Sequence, residues 1–265
     1  MLPPDTLDEI DNYWVAHLGC PPERLFESPV VVLPHSAFKG YQGLFLVRRG
    51  KFCVVSAPGE LINLIHTCAR GSSVDEVFGS GLWRQQLPDL LDRVVGPASI
   101  AYCDGSTLRP QELPGTLPLD GGDREALEQL RAACDPDDWD RAGILPAHPA
   151  MIGHWIDGRL VSAAGYEVWG ERIAHIGVAT EPAHRGQGYG KAAVSALALQ
   201  AIECGLIAQF RTLIANRPAM AIARALGFEE YAQTFAIGLN VPRSRACLDP
   251  DARPAGDEAE AETED

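Results

Sequence analysis

Long hydrophobic runs are missing from this chain. No apolar stretch approaches the ~20 residues of a membrane-spanning helix, so no membrane partner is expected. The opening MLPPDTLDEIDNYW has neither the basic nor the apolar region of a secretory signal, which predicts a cytoplasmic protein. Paired cysteines are missing as well. The seven Cys stand more than a dozen residues apart and form no zinc-type pair, so the expectation is reduced thiols and no metal site. Basic charge is scarce: 22 Lys and Arg face 36 Asp and Glu, a formal net charge of -14. Such a surface disfavours nucleic acid, which requires clustered cations, and is compatible with an amine substrate.

What the chain does have is ample apolar content, 46% over 265 residues, enough for one large domain or two small ones. Leu7, Ile10, Trp14 and Leu18 predict a helix over residues 6–18. Val30 to Leu33 read as a strand. Leu44 to Val47 and Phe52 to Val55 flank Arg48 to Lys51, whose Gly50 suits a four-residue hairpin loop. Helices are expected at Leu61 to Ala69 and Trp83 to Val95, and a strand at Ser99 to Tyr102. Residues 104–122 are rich in Pro and Gly and read as a boundary, though Leu117 could begin a strand.

Beyond the boundary the pattern predicts a helix from Asp123 to Ala133 and a helical turn near Trp139. Three strands follow at Met151 to Ile156, Leu160 to Val168 and Arg172 to Thr180, the first two joined by Asp157-Gly158, a tight-turn pair. Then come a helix over Gly188 to Cys204, a strand at Phe210 to Ile214, a helix at Pro218 to Leu226 and a strand at Glu229 to Leu239. The organisation expected is an N-terminal α/β domain at 1–105, a second α/β domain at 106–241 and a disordered acidic tail at 242–265. Trp139, Trp155 and Trp169 read as packing residues.

The stretch IAHIGVATEPAHRGQGYGKAAVSAL runs strand, Pro turn, Gly-rich loop, helix. Gly186, Gly188 and Gly190 keep side chains off the backbone where a helix starts, and Arg185 and Lys191 add positive charge. Free N–H groups at a helix start bind anions, and this spacing suits a pyrophosphate. Two other Gly-rich motifs fail. A P-loop needs Gly where Arg185 stands and a hydroxyl where Ala192 stands, and a dinucleotide fingerprint needs Gly at Lys191 and an acid near Gln209.

Arg185-Gly186-Gln187-Gly188-Tyr189-Gly190 resembles the Gln/Arg-x-x-Gly-x-Gly/Ala signature of the GNAT acetyltransferase superfamily. The preceding VATEP and the later segment from Asn216 to Gly227-Phe228 resemble the family's strand end and second CoA-contacting segment. The resemblance covers residues 116–241. It implies a mixed sheet flanked by helices and acetyl-CoA as co-substrate. It also implies direct acetyl transfer to a small-molecule or peptide amine. The N-terminal domain lies outside the resemblance and could be a decayed copy of the same fold, a substrate lid or a dimer surface, so a homodimer is one option. Backbone groups of Val178, Ala179 and Thr180 would pair with pantetheine, and the Val178 N–H would stabilise the oxyanion. Arg185, Gly186, Gln187, Gly188, Tyr189, Gly190 and Lys191 would hold the pyrophosphate. Asn216 would contact CoA, cap a helix, or both.

Two positions depart from the family. Its frequent Tyr acid falls on Ala223, which leaves Tyr166 or Tyr231 as substitutes, and its acidic base falls on Ala174. His175 and Glu167 are then the candidate bases, although adjacent strand residues face opposite sides. The alternatives are a module that senses acyl-CoA without turnover and a transferase for a longer acyl group or an alcohol acceptor.

Overall fold

The computed structural model describes residues 1–20, 28–38 and 40–240; the predicted tail lies outside them. The chain divides into two compact units, each assembled from two segments: Met1–Glu9 with Pro97–Gln233, and Ile10–Gly96 with the chain from Thr234. Strands β4 (Leu91–Cys103) and β10 (Glu229–Leu239) contribute residues to both.

The unit built on residues 10–96 takes most of helix α1 (Pro4–Leu18) and strands β1 (Val30–Pro34), β2 (Gly43–Arg49) and β3 (Phe52–Ala57). Helices α2 (Ile62–Ala69), α3 (Val74–Val77) and α4 (Ser80–Gln86) follow. The strand order here is β1-β3-β2-β10-β4, with β1 parallel to β3 and β2 antiparallel to it. Arg49 pairs with Phe52, so the hairpin turn is Gly50-Lys51 rather than four residues. Leu44, Leu46, Val55, Ile65, Trp83 and Ile237 form the core, and Trp83 Nε1 donates to the Val77 carbonyl at 2.7 Å.

One predicted element is wrong. Residues 83–95 are not one helix: α4 stops at Gln86 and β4 begins at Leu91. Pro88 cannot continue the helical ladder, and the β-branched Val94 and Val95 then suit an extended chain.

His35 gives this unit an acid-sensitive joint. Gly43 O can only accept, so His35 Nε2 donates to it at 2.9 Å; neutral His35 Nδ1 then accepts from Ser56 Oγ at 2.7 Å. Protonation would place a donor against the fully buried Ser56 hydroxyl. Burial lowers the His35 pKa below its ordinary 6.5, partly opposed by the bond to Gly43. The unfolded chain therefore binds the proton first, and stability present above pH 6.5 is lost as pH falls toward the folded pKa. His35→Gln keeps one donor and one acceptor without a titration. Urea midpoints compared at pH 7.5 and pH 5 should drop less for this variant than for the wild type. An equal drop would show that His35 contributes nothing to the acid loss.

In the other unit the strand order is β10-β4-β9-β8-β7-β6-β5, with β5 (Thr116–Pro118), β6 (Ala150–Ile156), β7 (Arg159–Trp169), β8 (Ile173–Thr180) and β9 (Ile207–Leu213). Thus Leu117 does lie on a strand. Asp157 and Gly158 both have positive φ, 49° and 78°, as the tight β6–β7 turn requires. Neighbours from β5 to β8 run antiparallel, whereas β8 and β9 run parallel. A parallel pair needs a crossover, supplied here by helix α7 (Tyr189–Glu203). Ala193, Leu197, Ala198 and Ala201 of α7 pack on Ala164, Ile176 and Phe210. Leu226 of α8 (Arg217–Leu226) joins them. Helices α5 (Arg124–Ala133) and α6 (Pro136–Ala142) cover the opposite face through Leu127, Leu130 and Trp139, against Ala163 and Ala179. Trp139 and Trp169 are buried and Trp155 packs at the rim of the same cluster, in keeping with packing roles. No helix among the described residues is long and apolar enough to cross a membrane.

Candidate functional site

Strands β8 and β9 separate partway along. Their parallel pairing runs from Ile173–Ile207 to Ile176–Phe210 and ends there. Farther on, Arg211 to Leu213 of β9 pair with Ile100 to Ala98 of β4. Glu181 N donates to Val161 O at 2.9 Å, just outside the Ser162–Thr180 pair. That bond sets the alternation along the ladder: Ala179 exchanges its backbone bonds with β7, while those of Val178 and Thr180 turn away from β7. The Val178 N–H is thereby directed into the gap where β9 has departed, an open strand edge within a folded sheet.

The Gly-rich loop stands at the same end. Gly186 and Gly188 have φ of +77° and +90°, and a Cβ on either would meet nothing within 4 Å. These glycines serve backbone conformation, not close packing. Gly190 does the reverse. A Cβ there would lie 2.8 Å from Thr180 Oγ1, so glycine lets the first turn of α7 settle onto β8. Gly188 is the N-cap of α7 and offers no side-chain acceptor, which leaves the first N–H groups of that helix without a capping side chain. With the dipole behind them, such N–H groups favour an anion nearby.

Arg185 is tethered. Its Nε donates to Thr180 O at 3.1 Å and its Nη2 to Asp138 Oδ2 at 3.1 Å. Arg141 also donates to Asp138, at 2.5 Å, and these two guanidinium bonds hold the Asp138 carboxyl below its ordinary range. Glu181, buried beneath the turn, accepts from Arg159 at 2.6 Å and lies 3.2 Å from His184 Nδ1. Tyr189 donates to Gln187 at 2.9 Å. Lys191 is half-buried in the first turn of α7. Asn216 Oδ1 accepts from Ala219 N at 3.2 Å, so the capping role is occupied. Gly227 ends α8 at φ +85°, where a Cβ would collide with the Thr107 carbonyl.

The candidate acid and base positions fall in different surroundings. Ala223 is buried beside Leu226 and Phe228, and no hydroxyl occurs at that point. Tyr166 is buried under α7, and burial pushes its phenol above the ordinary range. Tyr231 meets Tyr102 edge-to-face at 5.6 Å. Ala174 is fully buried in the core below α7. His175 faces the other way: it stacks on Trp169 at 3.9 Å and its Nδ1 lies 2.6 Å from Gln209 Oε1. Gln209, fully buried, donates onward to Tyr102 Oη at 2.7 Å. Glu167 is the cross-strand neighbour of His175, so these two candidates are brought together. His175 stands three residues before Val178, about 10 Å along the strand.

Sequence reasoning did not find Gln209 as the His175 partner, nor Asp138 and the Arg159–Glu181–His184 group. The first was signalled by a lone Gln among apolar strand residues; the others come from distant elements. No group of three metal-ligating side chains occurs among the described residues.

Residues 123–228 match the Acetyltransferase (GNAT) family. The C-terminal part of the chain therefore carries a GNAT domain, and the general chemistry this supports is acyl transfer from acyl-CoA. An acetyltransferase from the GNAT family of Colwellia psychrerythraea has a similar fold. Its TM-score is 0.51 at 14% identity, over 90% of this chain and 98% of that one. A GNAT-family protein from Novosphingobium aromaticivorans is 24% identical over 57% of this chain and 67% of its own, with a TM-score of 0.46. No curated protein matches the chain.

Proposed function

We propose that the chain is a cytoplasmic N-acetyltransferase that moves an acetyl group directly from acetyl-CoA to an amine of a small molecule or peptide. The observation that carries this reading is the Val178 N–H directed into the β8–β9 gap beside the uncapped start of α7. Pantetheine would pair with the open edge through the backbone groups of Val178 and Thr180, as an added strand does, whereas the Ala179 groups are spent on β7 and, against the expectation from sequence, would not take part. The amides from Gly186 to Lys191 would hold the pyrophosphate, and Asn216 would add a contact from the start of α8. On this reading the transferase domain is residues 106–241 with Ala98 to Cys103 of β4 added as the neighbour of β9, and the unit built on residues 10–96 serves a separate role.

The chemistry follows from that placement. A neutral amine attacks the thioester carbonyl, and negative charge develops on its oxygen opposite the Val178 N–H. One such donor contributes about 3 to 4 kcal/mol to a tetrahedral transition state. Collapse expels the thiolate of CoA, and the amine nitrogen loses its extra proton to water. Ala223 places no acid beside the sulfur, and Ala174 no base beside the amine.

Those two alanines also favour a second reading, a module that binds acyl-CoA without turnover. Thiol release from acetyl-CoA, followed across a panel of amines, separates the two. Transfer to any amine supports the enzyme; intact CoA binding with no transfer supports the sensor. Competition among acyl-CoAs of different length tests the acetyl assignment. In the enzyme, His175→Ala and Glu167→Gln should each lower kcat/KM by less than about a hundredfold, because neither touches the reacting end directly. Complete loss in either variant, with CoA affinity unchanged, would make that residue the base.

A further inference from the structure

The fold places a row of polar side chains where packing alone calls for apolar ones. Thr116 of β5, His154 of β6, Ser162 of β7 and Thr180 of β8 are cross-strand neighbours in one line. The line runs on the α7 side of the sheet, below the first turn of that helix. Ser162 Oγ and Thr180 Oγ1 are 2.8 Å apart, and the backbone of Gly190 lies against Thr180. His154 is 1% exposed. Its Nδ1 is 2.8 Å from Thr116 Oγ1, and its ring lies parallel to the ring of Tyr189, with centroids 4.3 Å apart and planes 13° from parallel. Its Nε2 is buried with no partner among the described residues. A buried unpaired ring nitrogen costs stability, and a phenyl ring at this point would stack as well without it.

We propose that His154 is a positioning residue for the pyrophosphate loop. Its ring is the platform on which Tyr189, the first residue of α7, rests. Its bond to Thr116 fixes the height and tilt of that platform from the edge strand. Gly188 and Gly190 on either side of Tyr189 supply no side chain to hold the turn, so the Tyr189 ring anchors this end of the loop to the sheet, as the Arg185 bond to Thr180 O anchors the other. Loosening the anchor scatters the amide directions that an anion needs aligned. The inference rests on the reading of this loop as the CoA site and adds the residue that holds it in shape.

The test uses calorimetric titration of CoA and steady-state acetyl transfer in the full chain. His154→Ala should raise the Kd for CoA and the KM for acetyl-CoA about tenfold, with kcat at saturation within about twofold; a lost ring stack is of that size. His154→Phe, which keeps the stack but loses the bond to Thr116, should recover part of the affinity, and thermal melts check that both variants are folded. Tyr189→Ala should weaken binding to the same degree, and the double variant no further, because both remove one contact. Wild-type affinity in His154→Ala, or additive losses in the double variant, would overturn the proposal. Should His154→Ala fail to fold, Tyr189→Ala and His154→Phe decide it: unchanged affinity in the first, or a loss in the second as large as that of Tyr189→Ala, overturns it. A wild-type chain that binds no CoA would instead overturn the site assignment itself.

Discussion

Gly188→Val should bind no detectable CoA by calorimetric titration, while its melting temperature stays close to that of the wild type. The reason is conformational. Gly188 has φ +90°, in a region that a β-branched residue does not adopt without strain. A Cβ there would touch nothing within 4 Å, so the fold has no clash to resolve and the strain falls on the loop. Relief means rotating the peptide units on both sides of Gly188, and these carry the N–H groups that would face the phosphates. Arg185→Ala should be milder, about 1 to 2 kcal/mol, the range for one charge-assisted bond. The Arg185 guanidinium is also shared with Asp138 and the Thr180 carbonyl, so part of its charge is already engaged. Wild-type affinity in Gly188→Val would remove the loop as the pyrophosphate site, and with it acetyl-CoA as the ligand of this edge.

Replacing Val178 with Pro should cut kcat by about a hundred- to a thousandfold, the cost of losing one oxyanion donor. Proline removes the backbone N–H and nothing else from the ladder with β7, because the Val178 N–H faces the gap. Ala179→Pro is the counter-test. The Ala179 N–H belongs to the β7–β8 ladder, so that variant should lose tens of degrees of thermal stability or fail to fold. Normal turnover in a folded Val178→Pro chain would show that the carbonyl is polarised elsewhere. Equal destabilisation of both variants would show that the alternation along β8 is misassigned.

Much of this architecture was legible before any coordinates, and the reasons are local. The Asp157-Gly158 pair permits one tight turn, and the turn is there with both φ values positive. The Gly-rich helix start is likewise a short-range signal. The helix expected over residues 83–95 fails for an equally local reason. Trp83, Leu87, Leu91 and Val94 fit helical spacing, but Pro88 interrupts the ladder and the β-branched Val94 and Val95 suit an extended chain. At the candidate site the backbone roles follow from glycine and strand order. Side-chain partnerships do not, since Gln209 reaches His175 from 34 residues away and Asp138 reaches Arg185 from 47. The stack of His154 on Tyr189 lies in the same category. Nothing near either residue in sequence signals it.

The course of β4 bears on how this protein can be divided. Residues Ala98 to Cys103 of that strand form the outer neighbour of β9 from Leu213 back to Ala208. A recombinant fragment that starts at 106 would leave this side of β9 bare, a ready template for another chain. An expression series with start points on either side of Leu91 would therefore divide sharply, with monodisperse protein only from those that retain the whole strand. The smallest self-sufficient piece of the catalytic fold would be set by strand neighbours, not by the Pro- and Gly-rich stretch that looks like a seam.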